Sequence, residues 1–513
     1  MSNEINLLPD LIAGYARATP ERQALILGDR HIGYGELGAL VDRAAAALRR
    51  DGAGRGNRLA ICAATSSEYL IAFLGALRNG MAAVPVPVAA SVGQMDTMIR
   101  DSGPTHLLIG NPCPPEVAKG LADTGIRVIA LSPNLPGEAW ERWLAPEGEA
   151  GSAFPQIDAD MEFNLIYSSG TTGVPKGIVH SHRFRAGVCS LTQLLRFDSD
   201  AVMLISTPLY SNTTLTAVFL TLAAGGALLL MEKFDTGAFL ALSEQHRVTH
   251  AMLVPVQFRR ILARPDFDNF DLNSYRMKYV TSSYLSAEEK REVLDRWPGG
   301  LIEFYGLTEG GGSTILFAHD HPSKLHTVGR PAPGHDIRLI GEGGEEVAAG
   351  EVGEVVGRSA SSMTHYHNRP DLTEAARWIG PDGSPYFRTG DLARIDEDGF
   401  VVICGRKKDM IISGGFNIYP SDLEAVLLGN DQVADVAVAG VASAQWGETP
   451  VAFVIAASPD VDANALRDWA NARLGAMQRL HALVLKDELP RNALGKVLKA
   501  KLSEEFSAAQ GAS

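Results

Sequence analysis

The stretch from Tyr167 to Gly177 reads Tyr-Ser-Ser-Gly-Thr-Thr-Gly-Val-Pro-Lys-Gly. Ser168, Ser169, Thr171 and Thr172 supply hydroxyls, Lys176 supplies an ammonium, and no acid is present. Gly170 and Gly173 let the backbone turn its N–H groups toward one centre. Such a concavity suits an anion, above all a polyphosphate. It is not the loop of P-loop kinases and GTPases, which needs Gly-Lys-Ser/Thr; here Pro175 precedes Lys176 and Gly177 follows it. A second stretch, Phe304-Tyr305-Gly306-Leu307-Thr308-Glu309, packs an aromatic, a glycine, a hydroxyl and a carboxylate together. Tyr305 can cover a flat base, Gly306 admits close backbone approach, and Thr308 can donate to a phosphate. Glu309 can hold Mg²⁺, a hard cation that takes oxygen ligands and substrate phosphates. Taken singly, each stretch also fits an ordinary solvated loop.

These residues need elements to position them. Met161, Phe163, Leu165 and Tyr167 alternate with Glu162, Asn164 and Ile166, which predicts a strand delivering the loop to a sheet edge. Leu37, Leu40, Val41, Ala44, Ala45 and Leu48 recur at helical spacing. A strand from Arg58, a helix over 68–78 and a strand over 81–86 follow. This alternation predicts parallel sheets covered by helices. Residues 132–160 read as a connection. Past residue 408 the texture changes: Ser421-Asp-Leu-Glu424 has the pattern of a capping box. Strands over 433–441 and 450–456, a helix over 463–474 and a strand from Leu483 follow. The expected fold class is α/β: a large N-terminal multi-layered α/β domain with parallel sheets, over 1–407, and a small mobile α+β C-terminal domain, over 408–513.

The chain has 513 residues, 46% hydrophobic and 21% charged, with a formal net charge of −14, as a soluble multi-domain protein would. The acidic balance, with no basic cluster, argues against nucleic acid. Cys62, Cys113, Cys189 and Cys404 make neither a disulfide framework nor a zinc set. The N-terminus lacks a signal-peptide pattern, so a cytoplasmic location is expected. The uncharged stretch Leu215 to Met231 contains Gly225-Gly226 and fits a helix–sheet core rather than stable membrane insertion. His319/His321 and His365/His367 have pairwise spacing without further ligands and read as surface loops. His180 and His182 read as structural.

Ser-Ser-Gly-Thr-Thr-Gly-x-Pro-Lys-Gly resembles the signature loop of the adenylate-forming superfamily: acyl-CoA synthetases, adenylation domains of peptide synthetases, and luciferases. Tyr305-Gly306-Leu307-Thr308-Glu309 is similar to that family's second motif, and with it Glu303 and Phe304 join the nucleotide site. Arg388-Thr389-Gly390-Asp391 resembles its ribose motif, with Asp391 holding the hydroxyls. Arg406 matches a ribose/phosphate contact, Lys408 the hinge, and Gly414-Gly415 the pantetheine tunnel. Pro490-Arg-Asn-Ala-Leu-Gly-Lys496 resembles the motif of the catalytic lysine. The resemblance spans nearly the whole chain. It implies an AMP-forming acid–thiol ligase using ATP, Mg²⁺ and coenzyme A, and it leaves a homodimer open.

Three stretches depart from the pattern. Tyr210-Ser211 replaces an aromatic-histidine pair, Thr281-Ser282-Ser283-Tyr284 a glycine-rich wall, and Gln478-Arg479-Leu480 a Lys/Arg-x-Pro. The acyl pocket is expected among Tyr210, Asn212, Val254, Gln257, Ser283, Leu307 and Gly310-Gly311-Gly312, with the glycines leaving width or depth. Nothing basic stands among them, so the expected acid is a hydrophobic aryl, aryl-alkenoic or fatty monoacid. No acid beside Tyr210 offers to hold an amino-acid ammonium. The alternatives are a stand-alone adenylating enzyme serving another acceptor, and a non-catalytic nucleotide-binding regulator.

Overall fold

The structure is a computed structural model that describes residues 5–149, 154–168, 175–414, 416–443, 445–475, 478–491 and 497–511. Its contacts divide the chain into two units. The first holds Met1–Leu325, Ala332–Asp336 and Arg358–Phe387; the second holds His326–Pro331, Ile337–Gly357 and Arg388–Ser513. The α/β class and the large-plus-small organisation are as expected. This division places 388–407 with the C-terminal residues.

The first unit is built on two sheets. One runs through Gly300–Tyr305, Met277–Val280, His250–Leu253, Val202–Ile205, Ala227–Leu230 and Gln23–Leu27, all parallel. Thr314–Phe317 and Arg30–Gly33 flank this run antiparallel. The other runs His365–Tyr366, Lys176–Ser181, Glu162–Ser168, Ala82–Pro85, Arg58–Cys62, His106–Ile109, Arg127–Ala130 and Glu138–Ala139. Most inner strands are buried on both faces, as parallel strands covered by helices must be. Glu162–Ser168 shows this: Asn164 and Ile166 are as buried as Phe163 and Leu165. Its alternation in sequence does not mark one wet face. The region read as a connection also carries structure, the short helix Trp140–Trp143 with both tryptophans buried.

Helices Tyr34–Arg50, Ser67–Arg78 and Asn212–Ala223 share one core cluster with inner residues of both sheets. Their close approach uses small residues. A Cβ on Gly75 would lie 2.6 Å from that of Ala44. Gly75→Val is therefore expected to cost about 1–3 kcal/mol by overpacking, read as a lower urea midpoint with an unchanged m-value.

In the second unit, strands Val433–Ser443 and Gly447–Ala456 form a long antiparallel pair, with Ala482–Leu485 parallel beside them and Ile411–Ser413 and Phe416–Ile418 completing the sheet. The helix expected from the capping-box pattern is Pro420–Leu428, and its cap is Tyr419. Ser421 lies inside that helix and donates to the Cys404 carbonyl at 2.5 Å. Glu424 accepts from the Val438 N–H at 2.8 Å and from Lys499 Nζ at 2.6 Å. The pattern located the helix, but its side chains serve tertiary contacts. No described helix is long and apolar enough to cross a membrane.

Candidate active site

Glu162–Ser168 and Lys176–Ser181 pair antiparallel, with Ser168 opposite Lys176. These two residues are the described rim of the predicted phosphate loop. Ser169, Gly170, Thr171, Thr172 and Gly173 lie outside the described residues. Lys176 Nζ stands 5.7 Å above the Tyr366 ring, and the Tyr366 hydroxyl donates to Glu309 Oε1 at 2.8 Å. Tyr366 thus brings the loop rim and the second motif together. Nothing in its sequence context had singled it out, because its partners lie far away along the chain.

The second motif leaves the strand Gly300–Tyr305 and turns at once. Tyr305, Leu307, Thr308 and Glu309 are half-buried and Gly306 is exposed. Three hydrogen bonds fix the turn: Gly310 N–H to Leu307 O at 2.9 Å, Gly311 N–H to Ser361 O at 3.1 Å, and Met363 N–H to Glu309 O at 2.7 Å. Thr308 O lies 2.6 Å from His180 Nε2. Two expectations change here. Glu303 is no open nucleotide contact: its carboxylate is buried against Lys290 Nζ at 2.5 Å. Gly310 does not widen an acyl channel either. It has φ +70°, and a Cβ there would overlap the Ser361 carbonyl and the Phe184 ring. Gly311 and Gly312 are likewise buried.

A single carboxylate suits Mg²⁺, which is usually bound by one or two carboxylates together with substrate phosphates and waters. Among the described residues no group of three or more His, Cys, Asp or Glu forms an all-protein cage. Glu309, steadied by Tyr366, is the residue that would hold the ion, whose charge would neutralise phosphate oxygens.

The expected acid-pocket residues are partly spoken for. Gln257 Oε1 accepts the Val254 N–H at 3.1 Å and its Nε2 donates to Ser206 Oγ at 3.2 Å, so this amide caps a helix. It offers no free polar group to a substrate. Tyr210 is nearly buried, and burial raises its phenol pKa. Ser283 is half-buried, and its neighbour Ser282 has φ +78° and a 2.8 Å hydroxyl contact with Thr213. A serine in that conformation stores about 1–3 kcal/mol of strain. Phe304 stacks on Tyr279 at 5.8 Å.

Asn212 accepts from Arg185 at 2.9 Å. Arg185 is 1% exposed and reached through no motif. Its side chain also bonds Asn164 and His180. Burial lowers its pKa to about 9. Beside it, His182 packs edge-on to Phe163, and among the described residues neither ring nitrogen has a partner. Burial lowers its pKa to about 4. Between pH 6.5 and 4 the unfolded chain binds a proton here that the folded chain refuses. Stability is therefore lost as pH falls through that window, by about 3 kcal/mol at most. His182→Phe is expected to lose less urea midpoint between pH 7 and pH 5 than the parent protein does.

In the second unit Asp391 is buried, and its Oδ1 lies 2.6 Å from Arg406 Nε. The two residues expected to share a ribose are thus already a pair. Arg388 and Lys407 both reach Glu354, at 2.6 and 3.0 Å. Lys408 is exposed in the turn Lys407–Asp409. Gly414 has φ +57° and its N–H donates to Trp446 O at 2.8 Å; Ile412, Phe416 and Trp446 are exposed beside it. Gly415 and Lys496 lie outside the described residues.

Comparison with known proteins decides the class. The description "AMP-binding enzyme" matches residues 13–367, and "AMP-binding enzyme C-terminal domain" matches residues 422–496. The chain belongs to the AMP-binding enzyme family. It is 30% identical over 505 residues to a long-chain-fatty-acid–CoA ligase, FadD13, of Mycobacterium tuberculosis, covering 96% of this chain and 97% of that one. It is 33% identical over 504 residues to a feruloyl-CoA synthase of an Amycolatopsis species, covering 96% and 97%. The solved structure of ATP-bound MatB from Rhodopseudomonas palustris superposes with a TM-score of 0.88 at 29% identity, covering 97% and 99%. As a member of this family the chain is an AMP-forming acid–CoA ligase, with ATP, Mg²⁺ and coenzyme A as its co-substrates and metal.

Proposed function

We propose that this ligase activates a hydrophobic monocarboxylic acid, aryl, aryl-alkenoic or fatty, by adenylation and passes it to coenzyme A. The observation that carries the reading is the assembly around Tyr366, which holds Glu309 and faces Lys176. The acid class is supported by Tyr210, Val254 and Leu307, which put no charge on the expected wall, and by relatives named for fatty and ferulic acids.

In the first step a carboxylate oxygen of the acid attacks the α-phosphorus of ATP and pyrophosphate leaves. Two anions must meet, so alignment and charge stabilisation dominate. Lys176, Thr308 and the loop over 168–177 hold the phosphates, Lys496 bridges the acid and the α-phosphate, and Glu309 would hold Mg²⁺, which would supply neutralising charge to the phosphates. Asp391 and Arg406 bind the ribose. In the second step the thiol sulfur attacks the acyl carbon and AMP leaves. The parts 1–407 and 408–513 re-orient about Lys408 between the steps, and Gly414 and Gly415 then line the path of the pantetheine arm.

Acid-dependent exchange of labelled pyrophosphate into ATP, run over a panel of aryl, aryl-alkenoic and fatty acids, tests this. One of these classes is expected to support exchange and CoA-dependent AMP release. Exchange with dicarboxylates or amino acids alone would overturn the acid assignment.

A further inference from the structure

Arg185 sits in the helix His182–Cys189, 1% exposed, with its guanidinium ringed by Phe163, Phe184 and Phe219 at 5.2–5.7 Å from their centroids. Among the described residues its hydrogen-bond partners are all neutral. Nε donates to Asn164 Oδ1 at 3.0 Å; Nη2 lies 2.8 Å from that same oxygen, 3.0 Å from His180 Nδ1 and 2.9 Å from Asn212 Oδ1. Among the described residues Nη1 meets no acceptor. Burying a cation without a counter-charge costs several kcal/mol, and an apolar side chain of similar volume is often as stable or more so. Stability therefore does not account for an arginine here.

What the arginine does is settle a histidine. Arginine can only donate, so His180 Nδ1 must accept. The Asn164 amide, 3.2 Å from the same nitrogen, can donate to it as well. The ring proton is then on Nε2, which donates to the Thr308 carbonyl at 2.6 Å. Burial, then the charge of Arg185, keeps this ring neutral, with its pKa well below the usual value. Stacking on Phe184 at 4.0 Å fixes its plane. The same Nη2 also grips Asn212, a half-buried residue that opens the helix Asn212–Ala223 close to Tyr210.

We propose that Arg185 is a positioning residue that ties the acid-pocket wall at Asn212, through His180, to the Thr308–Glu309 turn. The inference rests on the adenylating reading of this site. It makes a wall residue and the metal-holding turn parts of one hydrogen-bonded chain. An acid that seats well against Asn212 then finds the turn already in register.

The test uses the full-length enzyme with the acid found by pyrophosphate exchange. Arg185→Met breaks the chain at its centre. His180→Asn keeps an amide near Nδ1 but loses Thr308, and His180→Gln does the reverse. Arg185→Met and His180→Gln, which lose a hydrogen bond to the guanidinium, are each expected to lower kcat of exchange at least tenfold, and His180→Asn, which loses the neutral bond to the Thr308 carbonyl, to lower it severalfold. The double variant Arg185→Met/His180→Gln should be no worse than either single, the mark of one coupled unit. Multiplying losses, or unchanged kcat, would overturn the proposal. A second measurement does not need turnover: in the ligand-free protein, amide hydrogen exchange over 304–311 should rise at least tenfold in Arg185→Met. Unchanged exchange there would also overturn it. A parent enzyme that exchanges no pyrophosphate would sink the functional reading instead, while the hydrogen-exchange result would still judge the role of Arg185.

Discussion

Lys496→Ala is expected to abolish acyl-adenylate formation while sparing thioester formation from synthetic acyl-adenylate. The first step brings a carboxylate against a triphosphate, and a preorganised ammonium between them acts where charge builds up. Loss of one such donor costs about 3 kcal/mol or more, roughly a hundredfold or more in rate. The second step starts from a mixed anhydride with AMP as a good leaving group, so it asks little of this lysine. Single-turnover assays of the two steps separate them. Equal losses in both would mean that Lys496 holds the protein together rather than doing the chemistry.

The second large effect is expected at Glu309. Its Oε1 accepts from Tyr366, and its backbone oxygen accepts from Met363. Glu309→Gln keeps the shape and removes the charge that would hold Mg²⁺. Adenylation should fall by roughly a hundredfold or more, with partial recovery as Mg²⁺ is raised. Tyr366→Phe leaves the charge and removes one hydrogen bond to it, so a loss of only about tenfold is expected. A Tyr366→Phe loss as deep as that of Glu309→Gln would show that the tyrosine does more than steady the carboxylate. Titrating Mg²⁺ in the exchange assay distinguishes these outcomes.

The contiguous features were legible from the chain. The Ser/Thr/Gly loop, the 304–309 motif and the strand–helix alternation each carry their signal within a few residues. Local spacing also predicted the helix later found at Pro420–Leu428. It missed what its side chains do, because Ser421 and Glu424 find partners at Cys404, Val438 and Lys499.

The same limit runs through the site. In sequence, Glu303 is one more residue of a nucleotide motif. In the fold, the register of Gly300–Tyr305 turns its carboxylate inward to Lys290. Three glycines after Glu309 suggest room, yet at Gly310 the room is taken by Ser361 and Phe184, brought in from elsewhere in the chain.

By itself the sequence determined the class of chemistry through its resemblance to the adenylate-forming superfamily, because the motifs that carry the resemblance are contiguous and are read without knowing their partners. Only the tertiary structure decided which groups are free to act and which are held. Tyr366 reaches Glu309 across 57 positions and His180 reaches Thr308 across 128. Buried polar atoms must find partners wherever the fold supplies them, and no local spacing encodes where that will be.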